Sequence, residues 1–319
     1  MSGRSDPVSH RIFLTGATGS MGLAATRDLI SRGDQVVGVA RSAEGAQVLL
    51  ELGATPIEVD LFDVEAVQRA VDGCDVVAHF ATKIPVGNDA TKADAWQLND
   101  RLRIEGTANL IAAAEAIGIR RFIFESISLA YPDGGQEWID ESVDLDPIAP
   151  MMDSAVEAEA MLAAFAERGG ESVTLRFGRV YGPGRASDGF VEAVCARQMP
   201  IIGNGKNFVS SVHVGDAGGA IADAVEVVPG TYNIVDDEPM TQRELMATAA
   251  EALAAPPPRR IPYAIARVAA GKAARVMDVS QRVSNRRFRE ATDWAPRYRS
   301  ATDGWAATVA ATEVESVLV

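Results

Sequence analysis

Between residue 10 and about residue 127 the chain alternates short apolar, β-rich runs with helix-like stretches, and no other property narrows its fold as far. The runs are RIFLTG, QVVGVA, TPIEVD, DVVAHF and RRFIFES; the stretches between them include MGLAATRDLISRG, which stops at Gly33, and DVEAVQRAVDG. Strand, helix, strand, repeated, predicts a doubly wound α/β fold: a parallel sheet with helices on both faces and its ligand at the carboxyl ends of the strands. After about residue 170 the pattern loosens. ESVTLRFGRVYGPG reads as one more strand and a turn, and GTYNIVDDEPMTQRELMATAAEAL as a strand and a helix capped by Thr241 with Glu244. We expect a dinucleotide-binding domain over residues 8–175 and a smaller α+β substrate lobe over 176–319, the two interwoven.

The first strand runs straight into LTGATGSMG, which opens the first helix. Gly16, Gly19 and Gly22 allow a tight turn and close backbone approach to a pyrophosphate, and Thr18, Ser20 and Met21 offer N–H groups at the helix start. In that setting the loop points to a Rossmann cofactor site. The second strand ends in GVARS, with Ala40 and Arg41 where an acidic residue would hold the ribose hydroxyls of NAD. A guanidinium there suits a 2′-phosphate, so NADP is expected, with NAD possible.

Composition closes off other classes. The formal charge of −14 opposes attraction to nucleic acid or anionic lipid. No apolar run reaches the roughly 18 residues of a membrane span, and MSGRSDPVSHR has no leader-like apolar stretch. Cys74 and Cys195 share no paired spacing, and His10, His79 and His213 form no ligand set, so neither a disulfide nor a metal is expected. A reducing, cytoplasmic setting fits.

At this point the chain resembles the extended short-chain dehydrogenase/reductase family, which includes NAD-dependent epimerases and dehydratases. TGATGSMG, VDLFD, HFAT, LNDRLRIEGTANLI, LRFGRVYGPG, SSVHVGDAGGAI, GTYNIVDDEP and VSNRRFREATDWAPRYRSATDGW carry the likeness, in order, over nearly the whole length. The resemblance implies that Asp60 and Leu61 line the adenine, and that Ala81 and Lys83 lie near the cofactor. It also implies a homodimer built on the helices of WQLNDRLRIEGTANLIAAAEAIG and MMDSAVEAEAMLAAFAERG.

The same resemblance exposes a gap. The family's proton chemistry depends on a Tyr-x-x-x-Lys pair on the helix after the fifth strand. Counting back from Ala158 and Glu159 in PIAPMMDSAVEAEAMLAAF places Met151 at the tyrosine position and Ala155 at the lysine position. Asp153 and Glu157 lie about 200° and 240° around the helix from residue 151 and face away. The groups left to supply a proton are Ser126 and Ser128, which flank Ile127 in FIFESISLAY, and Tyr131, with Glu125 and Tyr181 as further strand-end candidates. Positions that hold a sugar nucleotide's groups in the family read Arg179 and Val209, so the expected substrate is a small, largely apolar carbonyl or alcohol. The expected activity is that of an NADP(H)-dependent reductase with a non-standard acid; the alternatives are a redox-inactive sensor or a non-redox enzyme that keeps the cofactor as a scaffold.

Overall fold

The computed structural model describes residues 9–85, 89, 92–270 and 273–317. The first residues of the chain, with the expected first residue of the cofactor domain, residue 8, lie outside that range. Seven parallel strands form the central sheet: β1 Arg11–Thr15, β2 Gln35–Val39, β3 Thr55–Ile57, β4 Val76–His79, β5 Arg121–Ile127, β6 Glu171–Phe177 and β7 Gly230–Ile234. Their spatial order is β7-β6-β5-β4-β1-β2-β3. The order reverses between β1 and β4, which places the crevice of a doubly wound sheet at that point.

Both faces of the sheet are covered, which is why its strands read as unbroken apolar runs. Ile12 and Leu14 of β1 join one core layer with Ala25 and Leu29 of helix α1 (Ser20–Ser31) and with Ala217 and Ile221 of the helix Val214–Asp223. Phe13 enters the opposite layer, with Val67 of α3 (Val64–Val71), Leu110 and Ile111 of α5 (Thr107–Ile117), and Ala158, Leu162 and Phe165 of α6 (Asp153–Glu167). Helix α2 (Ala43–Glu51) starts at Ser42, whose hydroxyl accepts from Gly45 N at 3.1 Å. Between α4 (Gln97–Arg101) and α5 the chain makes a π-helical turn, Leu102–Gly106.

The lobes are interwoven through β7, which comes from the later part of the chain yet pairs with β6. The Thr241–Glu244 capping box forms as expected. Two elements differ from the sequence reading. Only Thr55–Ile57 of TPIEVD pairs as a strand. QRVSNRRFRE, whose arginines interleaved with polar residues predict a single solvated helix, splits into the strand Arg282–Val283, which pairs with Trp138–Ile139, and the short helix Arg286–Ala291. Val283 explains the split, because it is buried in one cluster with Tyr131 and Ile139, while the arginines after Asn285 begin the helix.

The ends of β1 and β4 are tied by one polar knot. The Thr15 hydroxyl accepts from Phe80 N (3.1 Å) and Ala81 N (3.2 Å), so its own proton goes to His79 Nδ1, 2.7 Å away. His79 then carries its proton on Nε2 and donates to Leu102 O in the π-turn at 3.2 Å. Burial pushes the His79 pKa down to about 4. Between pH 6.5 and about 4 the unfolded chain takes up a proton that folded His79 refuses, so this residue's contribution to stability declines as pH falls through that window. Urea unfolding of wild type and His79→Gln at pH 7 and pH 4.5 should show the stability gap between them shrinking by about 2–3 kcal/mol at the lower pH. A gap independent of pH would mean that His79 is not held neutral.

Candidate cofactor and active site

The three loop glycines do three different jobs. Gly16 has φ +71°, and a Cβ there would lie 2.3 Å from Phe80 O and 2.9 Å from Ala81 N. Its side chain is forbidden by the end of β4, before any ligand is considered. A Cβ on Gly22 would fall 2.1 Å from Gly16 O, so this glycine lets α1 close onto the loop. At Gly19 a Cβ would meet only Gly16 O, at 3.1 Å. Gly19 is the N-cap of α1 and supplies no side-chain acceptor, and the first turn holds no acidic residue. The N–H groups of Ser20, Met21 and Gly22 therefore keep their orphan hydrogen-bonding capacity and the positive end of the helix dipole, which fits a pyrophosphate.

The rest of the expected cofactor wall lies along the same strand ends. Thr18 packs on the start of α2, within 2.9 Å of where a Gly45 Cβ would be. Ala40 is buried, whereas Arg41 is exposed and makes no hydrogen bond or ion pair. Asp60 accepts from Phe62 N at 3.0 Å through Oδ1, and Leu61 is buried with its carbonyl held by Asn109 Nδ2 at 2.9 Å. Ala81 is half-buried beside Thr15, and Lys83 is exposed with its backbone N–H on Asn99 Oδ1 at 3.2 Å. These residues line one edge of the sheet from β3 to β4.

The proton-donor candidates part company, and Tyr181 is buried with its hydroxyl donating to Ser300 O at 3.4 Å. The Ser126 hydroxyl is fully buried and donates to Glu159 Oε1 at 2.5 Å. Arg176 grips the same carboxylate through Nε and Nη2, with Nη2 at 2.6 Å from Oε2. Its Nη1 donates to the Tyr131 hydroxyl at 2.7 Å, and that hydroxyl donates to Asn233 Oδ1 at 2.9 Å. Burial raises the Tyr131 pKa against the pull of Arg176. Ser126 and Tyr131 are thus committed to a network joining β5, α6, β6 and β7, with no exposed atom to offer a ligand. Ser128 is different. It starts a 3₁₀ turn instead of continuing the strand, and its side chain makes no hydrogen bond. The alternation that would point Ser126 and Ser128 the same way ends at Ile127.

Met151 lies in a 3₁₀ turn, Pro150–Met152, that leads into α6, and Ala155 is fully buried one turn later. Met151 packs on the buried cluster Ala130, Ala149 and Met152, as do Ile127, Leu129, Leu145, Val156 and Val276, and together they make an apolar floor at the carboxyl end of β5. Asp153 and Glu157 are exposed, away from that floor. Behind the floor the sequence reading missed a polar stripe. Asn99, Arg103 and Thr107 follow one another at four-residue spacing along α4, the π-turn and α5, all buried. Arg103 Nη2 donates to both oxygens of Glu125 at 3.2 and 3.3 Å, while Asn99 Nδ2, Arg103 Nε and Thr107 Oγ1 lack partners. Burial raises the Glu125 pKa, and Arg103 opposes the rise. The available signal was an arginine within LNDRLRIEGT whose neighbours are otherwise spaced as a buried helix face; Arg176, a charge inside the apolar run VTLRF, gave a similar one. No group of residues suited to a metal is found among the described residues.

A sheet, a loop and a strand-end crevice of this kind define a dinucleotide-binding oxidoreductase, and comparison with known proteins gives the family. The model of the NAD dependent epimerase/dehydratase family matches residues 12–234, and the chain belongs to that family. It is 34% identical over 306 residues to the 3-diazoavenalumate denitrifying reductase of a Streptomyces species, an alignment covering 92% of this chain and 98% of that protein. It is 29% identical over 295 residues to the 2-alkyl-3-oxoalkanoate reductase of Shewanella oneidensis, covering 82% of this chain and 72% of the other. In structure it is similar to the UDP-glucose 4-epimerase of Thermus thermophilus in complex with NAD, with a TM-score of 0.76 at 26% identity over 95% of this chain and 99% of that one. The chain is an NAD(P)-dependent enzyme of the oxidoreductase and epimerase type.

The glycine geometry separates fold from binding. Gly16→Ala should lower the melting temperature by several degrees, because its Cβ strikes backbone that cannot yield. Gly19→Ala should leave the melting temperature nearly unchanged and weaken cofactor binding by about tenfold or more in calorimetry. Equal effects of the two substitutions on stability would show that Gly19, too, serves the fold alone.

Proposed function

We propose that the protein is an NADP(H)-dependent reductase that transfers a hydride to an acceptor whose reduction needs no proton donor from the enzyme. The observation that carries this reading is the apolar Met151–Ala155 floor, together with the commitment of Ser126 and Tyr131 to a buried network. Bound at the Gly19 helix end, NADPH supplies a hydride; Arg41 would face its 2′-phosphate, and Asp60, Leu61, Ala81 and Lys83 the rest of its adenosine and ribose portions. Reducing a ketone creates an oxyanion that must be protonated, and general acid assistance is typically worth about 10²–10⁴ in rate. A diazo acceptor, as in the name of the Streptomyces relative, makes no such demand. With the acceptor in its arenediazonium form, the hydride's electron pair forms a C–H bond at the ring carbon, the C–N bond breaks, and its pair leaves on the cationic nitrogen as N₂, so no carbanion remains to be protonated. A floor without an acid then suffices, and an apolar one keeps water from the reactive carbon.

A second reading, reduction of a small carbonyl, draws support from Ser128, whose hydroxyl is without a partner at the end of β5. The two are separated by one experiment: incubate the protein with NADPH deuterated at C4 and either an aryl diazo acid or a panel of ketones. Deuterium on the ring carbon with release of N₂ and slow ketone turnover is expected, and Ser128→Ala should leave the diazo rate unchanged. Brisk ketone reduction abolished by Ser128→Ala would establish the second reading and discard the first. Cofactor choice has its own readout. Arg41→Ala should weaken NADPH binding by about tenfold or more while leaving NADH binding unchanged; equal affinities in the wild type would overturn the NADP assignment. We also read α4, α5 and α6 as a homodimer interface; Leu98 and Ile117, 41% and 36% exposed, are apolar positions on two of those helices.

A further inference from the structure

We infer that Arg282 anchors the carboxylate of a flat, conjugated substrate acid, an inference that rests on the reductase reading and adds the substrate's charge to it. The strands Trp138–Ile139 and Arg282–Val283 pair in parallel, with Arg282 opposite Trp138 and Val283 opposite Ile139. Val283 and Ile139 are buried together with Tyr131 and Val235, so Arg282 and Trp138 share the other face of the pair. The Arg282 guanidinium carbon lies 4.2 Å from the centroid of Trp138 and 5.0 Å from that of Phe208. Held between two rings, it makes no hydrogen bond and no ion pair, and its Nε is buried without an acceptor.

That isolation is not for want of carboxylates, since the chain has 44 acidic residues to 30 basic ones. The other arginines with restricted exposure are served: Arg103 by Glu125, Arg176 by Glu159, and Arg121 by the carbonyls of Val225 and Val227. Asp133, close by on the loop after β5, spends Oδ1 on Gly135 N and Ser280 N instead. Leaving a half-buried guanidinium uncompensated is unfavourable, and a ligand that completes it recovers that free energy on binding. Two further features select the ligand. A guanidinium with a free edge matches a carboxylate through two parallel hydrogen bonds, and the ring faces of Trp138 and Phe208 favour a planar, conjugated partner over a tetrahedral anion.

Its place in the fold ties Arg282 to the site. Gln281 donates through Nε2 to Leu129 O at 3.3 Å and Tyr131 O at 2.5 Å, bracing the loop that begins with Ser128. Gln281 N in turn donates to Phe208 O at 3.0 Å. The residue next to Arg282 therefore holds the loop that carries the one unpaired hydroxyl at the end of β5. A rigid acid gripped at Arg282 would have its other end directed by the same loop.

The test uses NADP⁺-loaded protein and three probes, trans-cinnamate, cinnamamide and inorganic phosphate, titrated by calorimetry against wild type, Arg282→Gln and Arg282→Lys. Cinnamate should bind at least about tenfold more tightly than the amide or phosphate; Arg282→Gln should erase the difference and Arg282→Lys restore part of it, with NADP⁺ affinity unchanged throughout. The idea is overturned if wild type does not bind cinnamate, if acid and amide bind alike, if phosphate competes as well as cinnamate, or if Arg282→Gln keeps the preference. Should Arg282→Gln fail to fold, the acid–amide comparison on wild type and Arg282→Lys decides. Hydride transfer is read separately by deuterium incorporation, so acid binding without turnover would sink the reductase reading and leave the anchor standing, while turnover without acid selectivity would do the reverse.

Discussion

Everything at the strand ends depends on how closely two stretches of backbone pass at Gly16 and Phe80. With φ at +71° and no room for a Cβ, Gly16 lets the phosphate loop rest on the end of β4. That contact brings Thr15 within reach of both Phe80 N and Ala81 N, and through Thr15 it orients His79 toward the π-turn. One steric allowance thus sets the mouth of the crevice, the start of α1 and the seating of the α4–α5 segment. Part of the glycine signature belongs to the fold; of the three residues, Gly19 is the one with space in front of it.

A second constraint operates further along the sheet. Glu159, Arg176, Tyr131, Ser126 and Asn233 come from four elements distant in sequence and satisfy one another in a buried chain of hydrogen bonds. Removing one member would strand the rest, since an uncompensated buried charge costs about 3–5 kcal/mol. The network gives Tyr131 and Ser126 a task that competes with catalysis. A hydroxyl already placed between an arginine and an amide oxygen cannot turn to a substrate without breaking both contacts.

The alternation of strands and helices, the position of the glycine loop, the Thr241–Glu244 cap and the interwoven second lobe were legible in the sequence because each is a local pattern with a fixed period or spacing. The reading of Met151 and Ala155 as departures rests on the family resemblance and on counting back from Ala158 and Glu159. The fate of Ser126 and Tyr131 was not legible, because it is decided by Glu159 and Arg176, 33 and 45 residues away respectively. Nor was the pairing of Arg282 with Trp138, whose partners are joined only by the folding of the loop after β5 onto the later segment. Gly16 was read as a ligand contact because sequence shows that a glycine is needed but not which atoms crowd it.

Helix α6 carries two sets of positions with no member in common. Ala158, Leu162 and Phe165 pack it on the sheet, and Glu159 pins it to β5 and β6. Met151, in the 3₁₀ turn before the helix, belongs to neither set and packs on the cluster of Ala130, Ala149 and Met152. The grip of the helix on the sheet is therefore separable from the turn that leads into it. A side chain changed at that turn alters the floor beside β5 before it reaches the contacts that hold the helix in register.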